Sequence, residues 1–253
     1  MGKLVTVPCG KCAACLSSRR ESWTIRLLEE AKVFLFNYFL TLTYSDENLP
    51  KSGVSKRDFQ LFMKRFRKRV ASYLRFYVVG EYGTHTFRPH YHLLLFSPEE
   101  IDIDIVEEEW GKGHVWPGKV EVRSVSYVAK YHVNRTDSPS GLSPPFCLMS
   151  KGIGRDYVSR MQEYHSESLM RNYYQLWEFR KPLPRYYRDK LYSREEREEM
   201  AQRALNSAVT REVESDDEFV RNHPDVNLYE DLQARKEAYA ARFFSKNKFN
   251  DVF

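Results

Sequence analysis

No stretch of this 253-residue chain is long and apolar enough to cross a bilayer. The longest apolar run, Val33 to Tyr44, is interrupted by Asn37, Thr41 and Thr43, whereas a spanning helix needs about 20 apolar residues. The first fifteen residues lack the apolar centre of a secretory signal. A soluble protein in a reducing compartment is therefore expected. Cysteine is scarce: Cys9, Cys12, Cys15 and Cys147 are the whole complement. In that setting they are expected to be free or metal-bound rather than disulfide-linked. There is no Gly-x4-Gly-Lys-Ser/Thr phosphate loop and no helicase motif, which argues against nucleotide-driven chemistry. Acids nearly vanish between Lys51 and Arg75, where nine lysines and arginines face the single Asp58. The modest net charge of +5 hides this asymmetry, because Glu195 to Glu218 is acidic. A basic surface facing an anionic polymer is expected.

What is present suffices for a folded core, with 42% apolar and 15% aromatic residues. After a Cys/Lys/Arg segment over residues 1–20, Ser22 to Lys32 reads as a helix and Tyr38 to Tyr44 as a central strand. Ser55 and Asp58 resemble a capping box opening a helix with Phe59, Phe62, Met63, Phe66 and Val70 on one face and cations on the other. Arg75 to Gly80 and His90 to Phe96 read as antiparallel strands, their connection being too short for a crossover helix. A helix leading to Trp110, a fourth strand over Lys119 to Arg123 and a helix from Val125 to about Asn134, capped by Ser124, follow. Ser138 to Pro145 reads as a loop and Tyr157 to His165 as a helix. Beyond Pro182 and Pro184 the chain is charged and helical in pattern, over Tyr192 to Val213 and Leu228 to Phe244. The expected fold is α+β, a central antiparallel sheet with flanking helices. The expected segments are a Cys-rich start at 1–20, a main domain at 21–184 and a helical extension at 185–253.

His90 and His92 are two apart in a strand, so both imidazoles project from one face while Tyr91 projects from the other. Two neutral imidazoles can converge on one metal ion. Glu81, ending the preceding strand, is the obvious carboxylate to join them and leave positions open for substrate. His-x-His alone is a weak signal, but two histidines in an interior strand need partners or a role. The remaining histidines lack such an arrangement and are expected to be surface or satisfied residues.

Tyr127 and Tyr131 stand at i and i+4 with Lys130 between them, all on one helical face. A phenol is a poor nucleophile in water, but it can attack a phosphodiester polarised by a divalent metal. Lys130 can stabilise the developing negative charge. The plain alternative is an aromatic stripe packed on the sheet, unsurprising in a chain with 17 tyrosines.

The spacing Cys9-x2-Cys12-x2-Cys15 can supply thiolates to a structural zinc, with Cys147 or a histidine as fourth ligand. Three reduced cysteines in a packed turn are the alternative. An iron–sulfur pattern fits less well, because no Cys-x3-Cys-Pro continuation follows Cys15. The basic helix Lys56 to Arg69 is expected to meet phosphates, with neighbouring aromatics available to stack on unpaired bases.

Three elements, Phe39-Leu-Thr-Leu-Thr-Tyr44, Arg88-Pro-His-Tyr-His92 and Tyr127-Val-Ala-Lys-Tyr131, together resemble the replication initiators of small single-stranded DNA bacteriophages in the HUH endonuclease superfamily. The likeness extends to the gokushovirus type through Pro8-Cys-Gly-Lys-Cys12 and Gly80-Glu-Tyr-Gly83, and covers about residues 8 to 160. The resemblance implies rolling-circle initiation: one strand is nicked at the origin, the 5′ end is kept as a phosphotyrosine, and a free 3′-OH primes synthesis. It implies His90, His92 and Glu81 as ligands of Mg²⁺ or Mn²⁺, and Tyr127 and Tyr131 as alternating nucleophiles with Lys130 between. It also implies single-stranded origin DNA, host helicase and host polymerase as partners, in the bacterial host's cytoplasm. Plasmid initiators, relaxases and transposases share this chemistry. A non-catalytic, zinc-stabilised nucleic-acid-binding module is the alternative from another class.

Overall fold

The computed structural model describes residues 8–83, 85–131 and 141–248. The described residues form two compact units: Ser18–Asp156, and residues 8–17 together with residues 157–248. This division differs from the segments drawn at residues 20 and 184, which follow composition.

The first unit is an α+β fold around a five-stranded antiparallel sheet of order β4-β1-β3-β2-β5. Its strands are β1 (Phe36–Thr43), β2 (Arg75–Tyr82), β3 (Pro89–Ser97), β4 (Val115–Lys119) and β5 (Phe146–Met149). β3, which carries the histidine pair, is the central strand, held by β1 and β2 along its length.

Alternation along these strands makes two cores. On one face, α2 (Lys56–Val70) and α3 (Ile103–Trp110) cover Leu40, Leu42, Val78, Tyr91, Leu93 and Leu95. Ser55 caps α2 by accepting a hydrogen bond from Asp58 N at 3.1 Å, and Phe59, Phe62, Met63 and Phe66 are its buried stripe. On the other face, α1 (Ala13–Ala31) and α4 (Val122–Tyr131) bring Leu27, Val125, Val128 and Ala129 onto Phe39, Tyr77, Val79, Leu94 and Phe96. Glu30 of α1 pairs with the guanidinium of Arg75 and accepts from Gly154 N at 2.6 Å. That fixes the helix to β2 and to the turn after β5.

Several local expectations are corrected. α1 begins at Ala13 rather than Ser22, since Ala13, Ala14, Leu16, Arg19 and Arg20 favour a helix and no Gly or Pro interrupts them. The fourth strand is Val115–Lys119, not Lys119 to Arg123. It is a sheet edge, where Pro117 can lie without breaking a ladder on both sides. Ser124 is inside α4 rather than at its cap. Its hydroxyl accepts from Glu121 N at 2.8 Å and lies 2.9 Å from Lys119 O, folding the strand-to-helix junction. The expected end of that helix near Asn134 lies outside the described residues.

In the second unit, α5 (Asp156–Ser166), the hairpin of β6 (Tyr173–Leu176) and β7 (Phe179–Pro182), and α6 (Arg185–Leu191) precede the long α7 (Arg194–Asn222) and α8 (Leu228–Lys248). His165 is a satisfied interior histidine here, bonded to Tyr157 at 2.9 Å and to Arg171 O at 2.7 Å. Burial pulls its pKa below the ordinary value. Among the described residues, no helix is long and apolar enough to cross a membrane.

Candidate metal and tyrosine site

The pleat of β3 sorts Tyr91 into the α2/α3 core and turns His90 and His92 towards α4. Register does the rest: His90 lies opposite Glu81 on β2, and His92 lies opposite Thr41 on β1. His90 Nε2 and His92 Nε2 are 3.2 Å apart, and they lie 3.3 Å and 3.0 Å from the same oxygen, Glu81 Oε1. Glu81 is only 2% exposed.

Hydrogen bonds on the far side of each ring set the nitrogens. His90 Nδ1 is 3.2 Å from the Arg88 carbonyl, which can only accept, so Nδ1 carries a proton and Nε2 is the nitrogen that a neutral ring offers to a metal. His92 Nδ1 is 3.2 Å from Thr41 Oγ1, and its ring lies against Phe39 with centroids 5.6 Å apart. Two imidazole Nε2 atoms and a carboxylate oxygen thus converge on one point. Such close contacts are favourable when a proton or a cation sits among these atoms. The donor set, two imidazoles and one carboxylate with a side open to α4, suits a divalent metal and leaves positions for further oxygen ligands. Glu81, His90 and His92 are one of two groups among the described residues that can hold a metal ion.

α4 brings the tyrosines over this point. The His92 and Tyr127 rings meet edge-on with centroids 5.2 Å apart, and Tyr131 stacks on His92 at 6.1 Å. Tyr131 OH donates to Tyr127 OH at 2.7 Å. Lys130 Nζ lies 5.7 Å from the Tyr127 ring centre and 5.2 Å from that of Tyr131. Arg20 of α1 donates to Ser126 Oγ at 2.9 Å, tying the helix beside Tyr127.

The second group is Cys9, Cys12 and Cys15. Cys9 Sγ accepts from Cys12 N at 3.3 Å. Hydrogen bonds from the backbone at Lys11 and Cys12 pull the Cys9 thiol down to about 7. Cys147 is a different kind of residue. It sits in β5 against Tyr77, and burial pushes its thiol up to about 12.

The basic helix α2 covers the face of the sheet opposite the histidines. Part of its charge is engaged within the fold, with Arg65 at 3.4 Å from Glu109, Arg69 at 3.8 Å from Glu108 and Arg67 over Phe76. Sequence periodicity identified its buried stripe but not which sheet face it would cover. Sequence reading also missed Thr41, Arg88 O and Arg20 as orienting groups. Each depends on strand register or helix placement, and Thr41 alone left a trace, as a polar residue alternating with leucines.

A family profile described as "Replication-associated protein ORF2/G2P" matches residues 37–136, the stretch that holds β1, both histidines, Glu81 and both tyrosines. The replication-associated protein VP4 of Bdellovibrio phage phiMH2K is 30% identical over 211 residues, covering 72% of this chain and 66% of that protein. The chain belongs to the phage replication-associated protein family. Membership accords with the gokushovirus-type resemblance drawn from the motifs. Two further members are the replication-associated proteins ORF2 of Spiroplasma virus 4, 27% identical and covering 79% of this chain and 75% of that protein, and ORF4 of Chlamydia phage 1, 26% identical and covering 73% and 53%. The chain therefore spans between about half and three quarters of the length of these relatives. No solved structure matches it.

Proposed function

We propose that this chain initiates rolling-circle replication of a small single-stranded DNA phage genome by nicking one strand at its origin. The observation that carries the reading is the convergence of Glu81, His90 and His92 directly beneath the Tyr127–Tyr131 pair. When bound, Mg²⁺ or Mn²⁺ supplies Lewis acidity to the scissile phosphate. Glu81, His90 and His92 would hold that ion, with Thr41 and the Arg88 carbonyl orienting the two rings.

Tyr127 is the first nucleophile. Its oxygen accepts from Tyr131 OH, and the Lys130 ammonium places positive charge near the phosphate on which negative charge develops. Its oxygen bonds to phosphorus as the bond to the 3′ oxygen breaks. The phenolic proton goes to solvent, and the departing oxygen gains one to become the 3′-OH. The 5′ end stays on the enzyme as a phosphotyrosine, whose ester bond retains the energy needed for rejoining. At the end of the round Tyr131, 2.7 Å away, attacks the regenerated origin and releases a new 3′-OH, which attacks the Tyr127 phosphodiester, joining the ends and freeing Tyr127. The chemistry is assigned to the main domain at 21–184. Unwinding and synthesis fall to a host helicase and polymerase in the bacterial cytoplasm.

The test uses tiled single-stranded oligonucleotides covering the genome that encodes the chain, incubated with the full-length protein and Mn²⁺. Cleavage at one site with a covalent protein–DNA adduct is expected, and EDTA should abolish both. Sequence-specific binding with no cleavage would instead favour a non-catalytic binding module.

A further inference from the structure

The cysteine cluster is not absorbed by the nicking reaction, and its geometry is informative. Cys9 and Cys12 are exposed and Cys15 is half-buried, although cysteine is among the residue types most often buried. Packing therefore does not explain why the sulfurs gather. All three lie within 4.8 Å of one another, and Cys9 Sγ and Cys15 Sγ are 3.8 Å apart. Tetrahedral zinc with Zn–S bonds of about 2.3 Å has an S–S edge of about 3.8 Å. A disulfide would bring two sulfurs to about 2.05 Å, and an iron–sulfur cluster would need room for several atoms between them.

The backbone is shaped to the same end. Gly10 adopts φ 73°, a left-handed conformation that glycine tolerates, and the turn aims Cys12 N at Cys9 Sγ. An N–H donated to sulfur favours the thiolate that a metal requires. Cys15 then follows in the first turn of α1, which begins at Ala13. One short turn and one helical turn together present three sulfurs on one side.

We propose that Cys9, Cys12 and Cys15 form a three-thiolate zinc site that staples the N-terminal turn to the start of α1. On binding, the three thiols release three protons and Zn²⁺ gains three Zn–S bonds, with a water in the fourth position. Because the site sits at the head of the helix that carries Arg20 and Leu27, occupancy orders that helix from its first turn. The proposal is independent of the nicking reading, since none of its ligands belongs to the histidine–tyrosine site.

The experiment measures metal in the full-length protein purified without added chelator. Stoichiometric zinc is expected in the wild type and in a His90→Ala/His92→Ala variant, with loss of nearly all of it in Cys9→Ser/Cys12→Ser/Cys15→Ser. Should the triple variant fail to fold, Co²⁺ titration of metal-depleted wild type decides the matter. Tetrahedral d–d bands with intense sulfur-to-cobalt charge transfer support the site. Zinc retained in the triple variant, Co²⁺ spectra without thiolate bands, an iron–sulfur chromophore, or a Cys9–Cys15 disulfide found by peptide mapping would each overturn it.

Discussion

Tyr91 and its two neighbours on β3 occupy opposite sides of one strand, and their surroundings could hardly differ more. On the α2/α3 side Tyr91 is fully buried among Tyr44, Phe59 and Trp110. Its hydroxyl is saturated, at 2.6 Å from Tyr44 OH, accepting from Ser55 N at 3.2 Å and donating to Ser55 O at 2.8 Å. On the α1/α4 side the adjacent histidines bring their Nε2 atoms to 3.3 Å and 3.0 Å from one carboxylate oxygen. One face engages its phenol with backbone and side-chain partners, and the other gathers two imidazoles around one buried carboxylate. The first face supplies the packed rigidity on which the second holds its side chains in place.

Substitutions on the two faces should therefore have different consequences. The largest effect is expected from Tyr127→Phe/Tyr131→Phe, which should reduce covalent adduct on gels to background while leaving the melting temperature near wild type, since both rings remain. On the opposite face, Tyr91→Ala should destabilise the fold by about 3–5 kcal/mol in urea unfolding, as a large aromatic is removed from a dry core. Loss of nicking there should follow loss of folded protein. A smaller effect is expected for Thr41→Val, which removes the partner of His92 Nδ1 and should weaken Mn²⁺ affinity by about 10–100-fold without unfolding the chain. Isothermal titration with Mn²⁺ reads this directly, and an unchanged affinity would remove Thr41 from the site.

The smallest effect concerns pH. Burial pushes the Tyr91 phenol up to about 12 from its ordinary value near 10, and burial raises that of Tyr44 further. A raised pKa here means that the folded state prefers the neutral phenol. Its contribution is therefore complete below pH 10 and is lost as pH rises towards 12. Unfolding free energy should decline across that window, and Tyr91→Phe should make the decline shallower.

The sequence made some of this structure legible and hid the rest for identifiable reasons. β3 was readable because a proline precedes an apolar run with histidines at alternate positions, and α2 because a cap opens a strict aromatic stripe. β5, β6 and β7 have four residues each, too few for alternation to register. β4 was displaced because Pro117 and Gly118 read as turn residues, though a sheet edge accommodates them. Within the site, the histidines, Glu81 and the tyrosines carried recognisable spacings. Thr41 and Arg20 did not, because their roles arise only when β1 and α1 are laid beside β3 and α4. The basic character of α2 was plain from composition, while its position across the sheet from the histidines was a property of topology.

Mapping the covalent DNA adduct by mass spectrometry tests the central claim most directly. Trypsin cuts after Arg123 and Lys130, so Tyr127 falls in the peptide Ser124 to Lys130 and Tyr131 begins the next one. After a single Mn²⁺-dependent cleavage and nuclease trimming, the residual nucleotide is expected on the Ser124 to Lys130 peptide. Its appearance on the Tyr131 peptide alone would reverse the order of the nucleophiles. An adduct on neither peptide, or cleavage with no adduct, would contradict the tyrosine mechanism altogether.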